Sequence, residues 1–527
     1  MSASQHPLLH QLNSRIYLRE RSAALGRRAT FEDIPDKLLD ELKALGFEWL
    51  YLLGVWQTGS AAREISRANS TLRAECQACL PDCRDEDIVG SPFAVQAYSP
   101  NREFGGDAAL AQLRDRLRRR GLRLMLDFVP NHIAPDHEWV STHAEYLIGG
   151  SEEDRTREPQ NWGRFETPSG PRIFAYGRDP YFAGWPDTVQ LNYRHKDCRQ
   201  AMLAQLQHIA ERCDGVRCDM AMLVEPEIFL RTWGDRSVPA DGSAAVDRPF
   251  WPDAIEITRH RAPGFTFMAE VYWDMEWRLQ QHGFDFTYDK RLYDRLHGGG
   301  AREVREHLMA DRAFQDRSAR FLENHDEPRA AATFSFEMHR PAALLTYLVP
   351  GLRFFHEGQT EGWKIRSSMH LGRRPRERVN PQIRAFYELL FKCLRRPEVH
   401  DGVFHLWQPR PAWDGNPTWS NFNCFSWHDD GGRCSLAVAN YAATQGQCYL
   451  PLDLDFLSGR KMRLSDLVGS AQYVRSGDEM KTRGLYLDLP AWGHHFFAVA
   501  PVEEAAGSRN KRAGRVERNE PALAFVD

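Results

Sequence analysis

The stretch Asp214-Gly215-Val216-Arg217-Cys218-Asp219-Met220-Ala221 reads as a turn that leads into a short buried strand. Apolar residues alternate there with Arg217 and Asp219, so the two charged side chains share one face of the strand. A charge in so apolar a strand is costly unless it is paired, and Arg217 can pair with Asp219 from two residues away. The pattern fits a structural ion pair, or an ionised carboxylate of the kind that a glycosidase nucleophile requires.

A similar unit recurs on both sides of this stretch. In each unit, an amphipathic helix ends at a glycine and an apolar strand follows at once. Gly46 precedes residues 49–53, and Gly121 precedes residues 122–129. Glycine is the usual helix stop, and nearly continuous apolar strands between helices are typical of a parallel sheet covered on both faces. Eight strands are predicted, near Ile16, Leu50, Leu124, Val216, Phe267, Phe286, Phe321 and Phe354.

These eight units favour a (β/α)₈ TIM barrel with an inserted subdomain after strand 3 and a C-terminal antiparallel β-sandwich. A doubly wound open sheet is the alternative fold, although no glycine-rich phosphate loop follows the first strand. The barrel is predicted in two pieces, residues 1–132 and 193–396, with the insertion at residues 133–192 between them. The sandwich is predicted at residues 397–502 and a disordered tail at residues 503–527. The insertion is rich in Pro, Gly, Trp and Tyr, and the tail is polar with little to bury.

Composition excludes several classes of protein. Hydrophobic residues make up 42% and charged residues 27% of the 527 residues, and the net charge of −4 gives no case for a nucleic-acid partner. No apolar run is long enough to span a bilayer, and the polar N-terminus has no apolar core of a signal peptide. Ten scattered cysteines fit reduced thiols, so we expect a cytoplasmic protein without disulfides; the oligomeric state stays open.

Charged side chains follow the predicted barrel strands at the ends where active residues gather in this fold. The third strand ends in Leu126-Asp127-Phe128-Val129-Pro130-Asn131-His132, the fourth in Gly215-Val216-Arg217-Cys218-Asp219, the fifth at Glu270, and the seventh in Phe321-Leu322-Glu323-Asn324-His325-Asp326. In this order and spacing, the four motifs resemble those of the α-amylase family of retaining glycoside hydrolases. A weaker fifth motif is Gln190-Leu191-Asn192, and the resemblance covers residues 15 to about 500.

The resemblance implies a role for each matched residue. Asp219 resembles the nucleophile, Glu270 the general acid/base and Asp326 the third carboxylate that holds sugar hydroxyls. The other residues that it implies for substrate binding are Asp127, His132, Arg217, His325 and Phe93. Because Arg217 is expected to pair with Asp219, Glu270 should lack an arginine partner and hold its proton longest.

Some positions depart from the family pattern. Met222 and Leu223 stand where members that grip long glucans often carry Lys-His, and Gln190 stands where calcium-binding members carry Asp. Asn131 is therefore only a possible calcium ligand, and no cofactor is expected to be required. Tyr181, Trp185 and Tyr193 of the insertion either line the substrate groove or pack inside the insertion.

The resemblance implies a carbohydrate substrate and a role in carbohydrate metabolism. We expect a retaining glycoside hydrolase that acts on short α-glucans or α-glucosides through a covalent glycosyl-enzyme intermediate. The alternatives are a transglycosylase or sugar isomerase of the sucrose or trehalose type, or a catalytically inactive carbohydrate-binding scaffold.

Overall fold

The computed structural model describes residues 5–502, and eight parallel strands at its centre close into a barrel. Each strand lies beside its sequence neighbours, and the first strand completes the ring by pairing with both the second and the eighth. The predicted (β/α)₈ barrel is therefore confirmed. The strands are β1 (Leu8–Asn13), β2 (Phe47–Leu53), β3 (Arg123–Phe128), β4 (Gly215–Cys218), β5 (Thr266–Ala269), β6 (Phe286–Tyr288), β7 (Ser318–Arg320) and β8 (Leu352–His356).

Amphipathic helices cover the barrel and lie between its strands. The longer ones are Ser14–Leu25, Asp36–Leu45, Gly106–Arg119, Lys196–Ala210, Pro226–Trp233, Trp251–Arg261, Lys290–His297, Ala301–Leu308, Phe336–Tyr347 and Pro381–Leu394. Shorter helices are Glu276–Gln281, Arg312–Asp316, Ala330–Thr333 and Pro397–Asp401. Within residues 5–502, no helix combines the length and apolar character needed to cross a bilayer.

The first strand was predicted too late in the sequence. Ile16 lies in the helix Ser14–Leu25, and the strand before it is Leu8–Asn13. The Asn13 side chain accepts hydrogen bonds from the backbone N–H groups of Arg15 and Ile16, so it caps the helix and ends the strand. The apolar character of Ile16 reflects burial of one helix face rather than an extended backbone.

Two excursions leave the barrel before β4. The predicted insertion after β3 contains the pairs His132–Ile133 with Val189–Gln190 and Trp162–Phe165 with Arg172–Ala175, and the helices Glu138–Thr142 and Glu152–Arg157. The second excursion, which we did not predict, follows β2. It pairs Trp56–Thr58 with Val95–Pro100 and carries the helices Ser60–Ala68 and Ser70–Cys79.

The C-terminal part consists of two antiparallel sheets. Its strands are β9 (Val403–Trp407), β10 (Arg410–Pro411), β11 (Phe422–His428), β12 (Cys434–Asn440), β13 (Gly446–Leu450), β14 (Lys461–Asp466), β15 (Gln472–Ser476), β16 (Leu485–Leu489) and β17 (His494–Pro501). The sheet orders are β9-β11-β12-β17-β14-β15 and β10-β13-β16, with the helix Gly477–Thr482 between β15 and β16. The disorder expected for residues 503–527 concerns a segment outside the described residues.

One side of the six-stranded C-terminal sheet packs into the hydrophobic core of the barrel, and a second buried cluster lies within the C-terminal sheets. Trp427 and Phe496 belong to the same buried cluster as the barrel residues. The Trp427 indole donates a hydrogen bond of 2.6 Å to the carbonyl of Leu348, and the Tyr441 hydroxyl donates one of 2.7 Å to the carbonyl of Leu296. The six-stranded sheet is thus held against the barrel by buried side chains and by these hydrogen bonds.

Candidate active site

The C-terminal ends of the strands bring the predicted catalytic side chains around Arg217. In register, Arg217 of β4 lies beside Asp127 of β3 and Met268 of β5. Its side chain is completely buried. Nη1 donates a hydrogen bond of 2.7 Å to Oδ1 of Asp219, and Nη2 donates one of 2.7 Å to Oε2 of Glu270. One guanidinium therefore holds both carboxylates that were expected to perform the chemistry.

The contact with Glu270 corrects the expectation that this residue lacks an arginine partner. Burial raises the pKa of Glu270 to about 7, Arg217 opposes the rise, and the charges of Asp219 and Asp326 add to it. Glu270 is thus suited to hold a proton near neutral pH for a different reason than expected. Desolvation and two neighbouring carboxylates outweigh the arginine.

Asp219 lies in a similar environment. Burial raises the pKa of Asp219 above its ordinary value, whereas the ion pair and hydrogen bond with Arg217 lower it and the nearby charges of Asp127 and Asp326 raise it. The carboxyl groups of Asp219 and Glu270 thus share one guanidinium, and the ionisation of Asp219 raises the pKa of Glu270.

Two further contacts of Glu270 were not predicted from the sequence. The backbone N–H of Met220 donates to Oε2 at 2.8 Å, and the Tyr272 hydroxyl donates to Oε1 at 2.9 Å. Met220 has a φ of 39°, a left-handed conformation that is uncommon for a residue with a side chain. Its unusual backbone aims the N–H at Glu270, so both carboxyl oxygens have donors in place.

Asp326 lies beside a histidine that is itself held in position. Oδ2 of Asp326 is 3.0 Å from Nε2 of His325, and Nδ1 of His325 is 3.0 Å from the side-chain nitrogen of Gln11. Burial acts to raise the pKa of Asp326, but His325 and then Arg217 bring it below the ordinary value. Asp326 is accordingly an ionised acceptor for hydroxyl groups, unlike Glu270.

Asp127 and Phe93 both lie close to the guanidinium of Arg217. Oδ1 of Asp127 accepts a hydrogen bond of 2.6 Å from the Tyr51 hydroxyl and lies 3.5 Å from Nη1 of Arg217. The Phe93 ring centre is 5.0 Å from the guanidinium carbon and 5.4 Å from the His325 ring. Asp127 therefore fixes the guanidinium, and Phe93 covers it with an apolar face.

His132 and the aromatic residues of the insertion occupy different environments. Burial lowers the pKa of His132 to about 3, so its ring is neutral, and the ring centre is 5.3 Å from that of Trp185. Tyr193 is buried against Phe250 and does not line a groove. Tyr181 is 58% exposed, so a ligand can reach it.

The oxygens around Asn131 do not fit a calcium ion. The side-chain nitrogen of Gln190 donates to Oδ1 of Asn131 at 3.0 Å, to its backbone carbonyl at 2.9 Å and to the carbonyl of Leu191 at 3.0 Å. A hard cation needs several free oxygen ligands, and an amide group already occupies these. Independence from calcium therefore stays a prediction, now with a structural reason.

Residues 34–370 match the family model described as alpha amylase, catalytic domain. The α-amylase MalA of Haloarcula japonica is 26% identical over 255 residues, which are 47% of this chain and 33% of that protein. An α-1,4-glucan:maltose-1-phosphate maltosyltransferase of Rhodospirillum rubrum is 26% identical over 259 residues, 48% of this chain and 30% of that protein. The chain spans about a third of the length of these curated relatives.

The fold of the chain resembles solved structures over nearly the whole length of both proteins. A maltogenic α-amylase of Thermotoga neapolitana superposes with a TM-score of 0.65 at 17% identity, covering 94% of this chain and 98% of that chain. An α-amylase of Lactobacillus plantarum superposes with a TM-score of 0.63 at 18% identity, covering 94% and 99%. At such identities, the likeness establishes the fold.

Proposed function

The chain belongs to the α-amylase family of glycosidases and glucosyltransferases, and on that basis we propose that it hydrolyses α-glucosidic bonds of short α-glucans or α-glucosides with retention of configuration. The observation that carries the proposal is the shared anchor of Asp219 and Glu270 on the two terminal nitrogens of Arg217. Retaining enzymes hold their carboxyl groups about 5–5.5 Å apart, and inverting enzymes about 6.5–9.5 Å apart. Anchoring on one guanidinium supports the shorter separation.

In the proposed first step, Asp219 attacks the anomeric carbon while Glu270 donates its proton to the departing oxygen. The product of this step is a glycosyl ester of Asp219. Asp326 and His325 hold hydroxyl groups of the sugar in the cleaved position, and Phe93 offers its ring an apolar surface.

In the second step, Glu270 acts as a base and takes a proton from water. The water oxygen attacks the anomeric carbon from the face that the leaving group vacated, and the bond to Asp219 breaks. The change in role has an electrostatic basis. The charge of Asp219 raises the pKa of Glu270, and this charge disappears when the ester forms. Glu270 therefore becomes more acidic in the intermediate, stays ionised and can accept the proton of water.

Transfer to a sugar hydroxyl is the second candidate, because one relative of the chain is named as a maltosyltransferase. The chemistry of the first step is unchanged, and only the acceptor differs. Met222 and Leu223, where long-glucan binders often carry Lys-His, are buried, which favours short substrates over long chains in either case.

The test is product analysis with maltooligosaccharides, maltose, sucrose and trehalose, alongside the Asp219→Asn variant as a control for contaminating activity. We expect shorter saccharides from at least one substrate, with the α-anomer seen first by NMR. If longer oligosaccharides were the main products, the proposed activity would be transfer instead of hydrolysis. If isomerised disaccharides were the main products, it would be isomerisation. The β-anomer first, or no turnover of any substrate, would contradict the proposal.

A further inference from the structure

A second cavity lies outside the proposed active site, between the helix Ser14–Leu25 and the excursion that follows β2. Its volume is about 590 Å³, within the range of about 300–1,000 Å³ that is common for small-molecule sites. The lining includes the polar side chains of Gln57, Thr58 and Ser99. None of the residues assigned to substrate or catalysis above contributes to it.

Arg15 is the most unusual residue of this cavity. It is only 8% exposed, and its Nη1 is buried without a hydrogen-bond partner. Among residues 5–502, its side chain has no ion pair with a carboxylate. Gly54, with a φ of +77°, leaves room for it, because a Cβ at that position would lie 2.8 Å from Cδ of Arg15.

Arg15 nevertheless stays charged at neutral pH. Burial and then the nearby charge of Arg63 lower the pKa of Arg15, but only to about 10. A buried cation without a counter-ion is unfavourable. Arg15 lines the wall of the cavity, so an anion bound there would supply the missing counter-ion.

The other charges at the cavity are also mostly positive. The charged residues in the lining are Arg15, Arg19, Arg28, Arg63, Arg102, Glu86 and Glu103. Arg19 pairs with Asp87 at 2.7 Å, and Arg28 lies 3.6 Å from Glu103. The side chains of Arg63 and Arg102, like that of Arg15, form no ion pair within the described part of the chain.

We propose that this cavity binds a phosphorylated small molecule of about the size of a sugar phosphate. The phosphoryl group would lie against Arg15 at the cavity wall and compensate its charge, with Arg63 and Arg102 balancing the remaining charge. Guanidinium groups match phosphate oxygens in geometry and bind them through paired hydrogen bonds. With Arg19 paired to Asp87 and Arg28 to Glu103, Arg15, Arg63 and Arg102 remain against Glu86, a surplus of positive charge that suits a dianion. The volume of the cavity exceeds the needs of inorganic phosphate alone.

The test measures binding to the full chain by calorimetry and thermal unfolding at constant ionic strength and neutral pH. The probes are glucose 1-phosphate, glucose 6-phosphate, inorganic phosphate and glucose. We expect at least one sugar phosphate to bind and to raise the melting temperature, inorganic phosphate to compete more weakly, and glucose not to compete. Failure of both sugar phosphates and inorganic phosphate to bind would overturn the proposal, as would equal competition by glucose, which would place binding in the active site.

Variants locate the site. Arg15→Met should weaken binding of the sugar phosphate at least tenfold and leave the ligand-free melting temperature unchanged or higher, because it removes an unpaired buried charge. Arg63→Gln, at an exposed position, should weaken binding severalfold. Arg463→Gln on β14 removes the same charge from an exposed position of the C-terminal sheets and should leave binding unchanged.

Unchanged binding in both Arg15→Met and Arg63→Gln would overturn the proposal. A lower ligand-free melting temperature of Arg15→Met together with unchanged binding would show that Arg15 is structural, which also overturns it. If Arg15→Met does not fold, Arg63→Gln against Arg463→Gln decides the question. These readouts do not use turnover, so the proposed function and this site can fail independently.

Discussion

At the scale of single residues, Arg217 is the centre of the proposed chemistry. It is fully buried, binds Asp219 and Glu270 directly and lies 3.5 Å from Asp127. Arg217 lowers the pKa of both partners against the effect of burial, so it favours the ionised form of each.

Replacing Arg217 by lysine should therefore change the pH dependence as well as the rate. Lysine cannot hold both carboxylates in one plane, and loss of one preorganised donor costs a factor of about 10²–10³ in rate. Activity requires ionised Asp219, so it rises as pH increases through that pKa. It also requires protonated Glu270, so it falls as pH increases through about 7.

With the contacts of Arg217 weakened, both pKa values rise, and both limbs of the profile of kcat/KM should move to higher pH. Arg320→Lys is the matched control, since Arg320 is equally buried and pairs with Asp289 at 2.7 Å, away from these carboxylates. Arg320→Lys should lower the stability of the fold and leave both limbs of the pH profile of kcat/KM unchanged. An unchanged profile in Arg217→Lys would contradict the assigned role.

The contact between Arg217 and Asp219 could be predicted from the sequence, whereas the contacts of Glu270 could not. Alternation along one strand placed Arg217 and Asp219 on the same face, and their contact is 2.7 Å. The contact from Arg217 to Glu270 joins β4 to the end of β5 and depends on their register, which no pattern within either strand encodes. The hydroxyl contact of Tyr272 was missed for a similar reason, since it depends on how the chain turns after β5.

At the scale of elements, apolar runs located the strands, and local hydrogen bonds set their ends. The first strand was misplaced because the capping side chain of Asn13 starts a helix before Ile16. The excursion after β2 was missed because its helices Ser60–Ala68 and Ser70–Cys79 are polar and bury few residues. Both helices are short and bury only Ala62, Ser66 and Cys76, so the sequence carries little apolar signal of where they pack.

The pairing of His132–Ile133 with Val189–Gln190 provides a test at this scale. Gln190 joins the two segments through its hydrogen bonds to Asn131, so the base of the insertion does not depend on a cation. We expect EDTA to leave both activity and melting temperature unchanged, with added magnesium as the control for ionic strength. Loss of both in EDTA, restored by calcium, would show that a calcium site exists.

At the scale of the whole molecule, the barrel and the C-terminal sheets should unfold together. Trp427 of β11 is fully buried in the core cluster that they share. Trp427→Ala should lower the free energy of unfolding by about 3–5 kcal/mol, because it leaves a large cavity and an unpaired carbonyl at Leu348. Denaturant titration should show one transition for both parts.

Trp413→Ala is the matched control, because Trp413 is 56% exposed and its loss should change stability by no more than about 0.5 kcal/mol. Two transitions in Trp427→Ala, with the barrel as stable as in the unmodified chain, would contradict the shared core.

The central claim is that Asp219 is the nucleophile and Glu270 the acid/base, and the Glu270→Gln variant tests it most directly. An α-glucosyl fluoride needs no proton donor for its leaving group, so it should still glycosylate Asp219 in this variant. The second step lacks its base, and the intermediate should accumulate. Mass spectrometry of the digested variant should then show one added hexose on the peptide that contains Asp219, whereas a hexose on the peptide containing Asp326, or on no carboxylate while fluoride is released, would contradict the account.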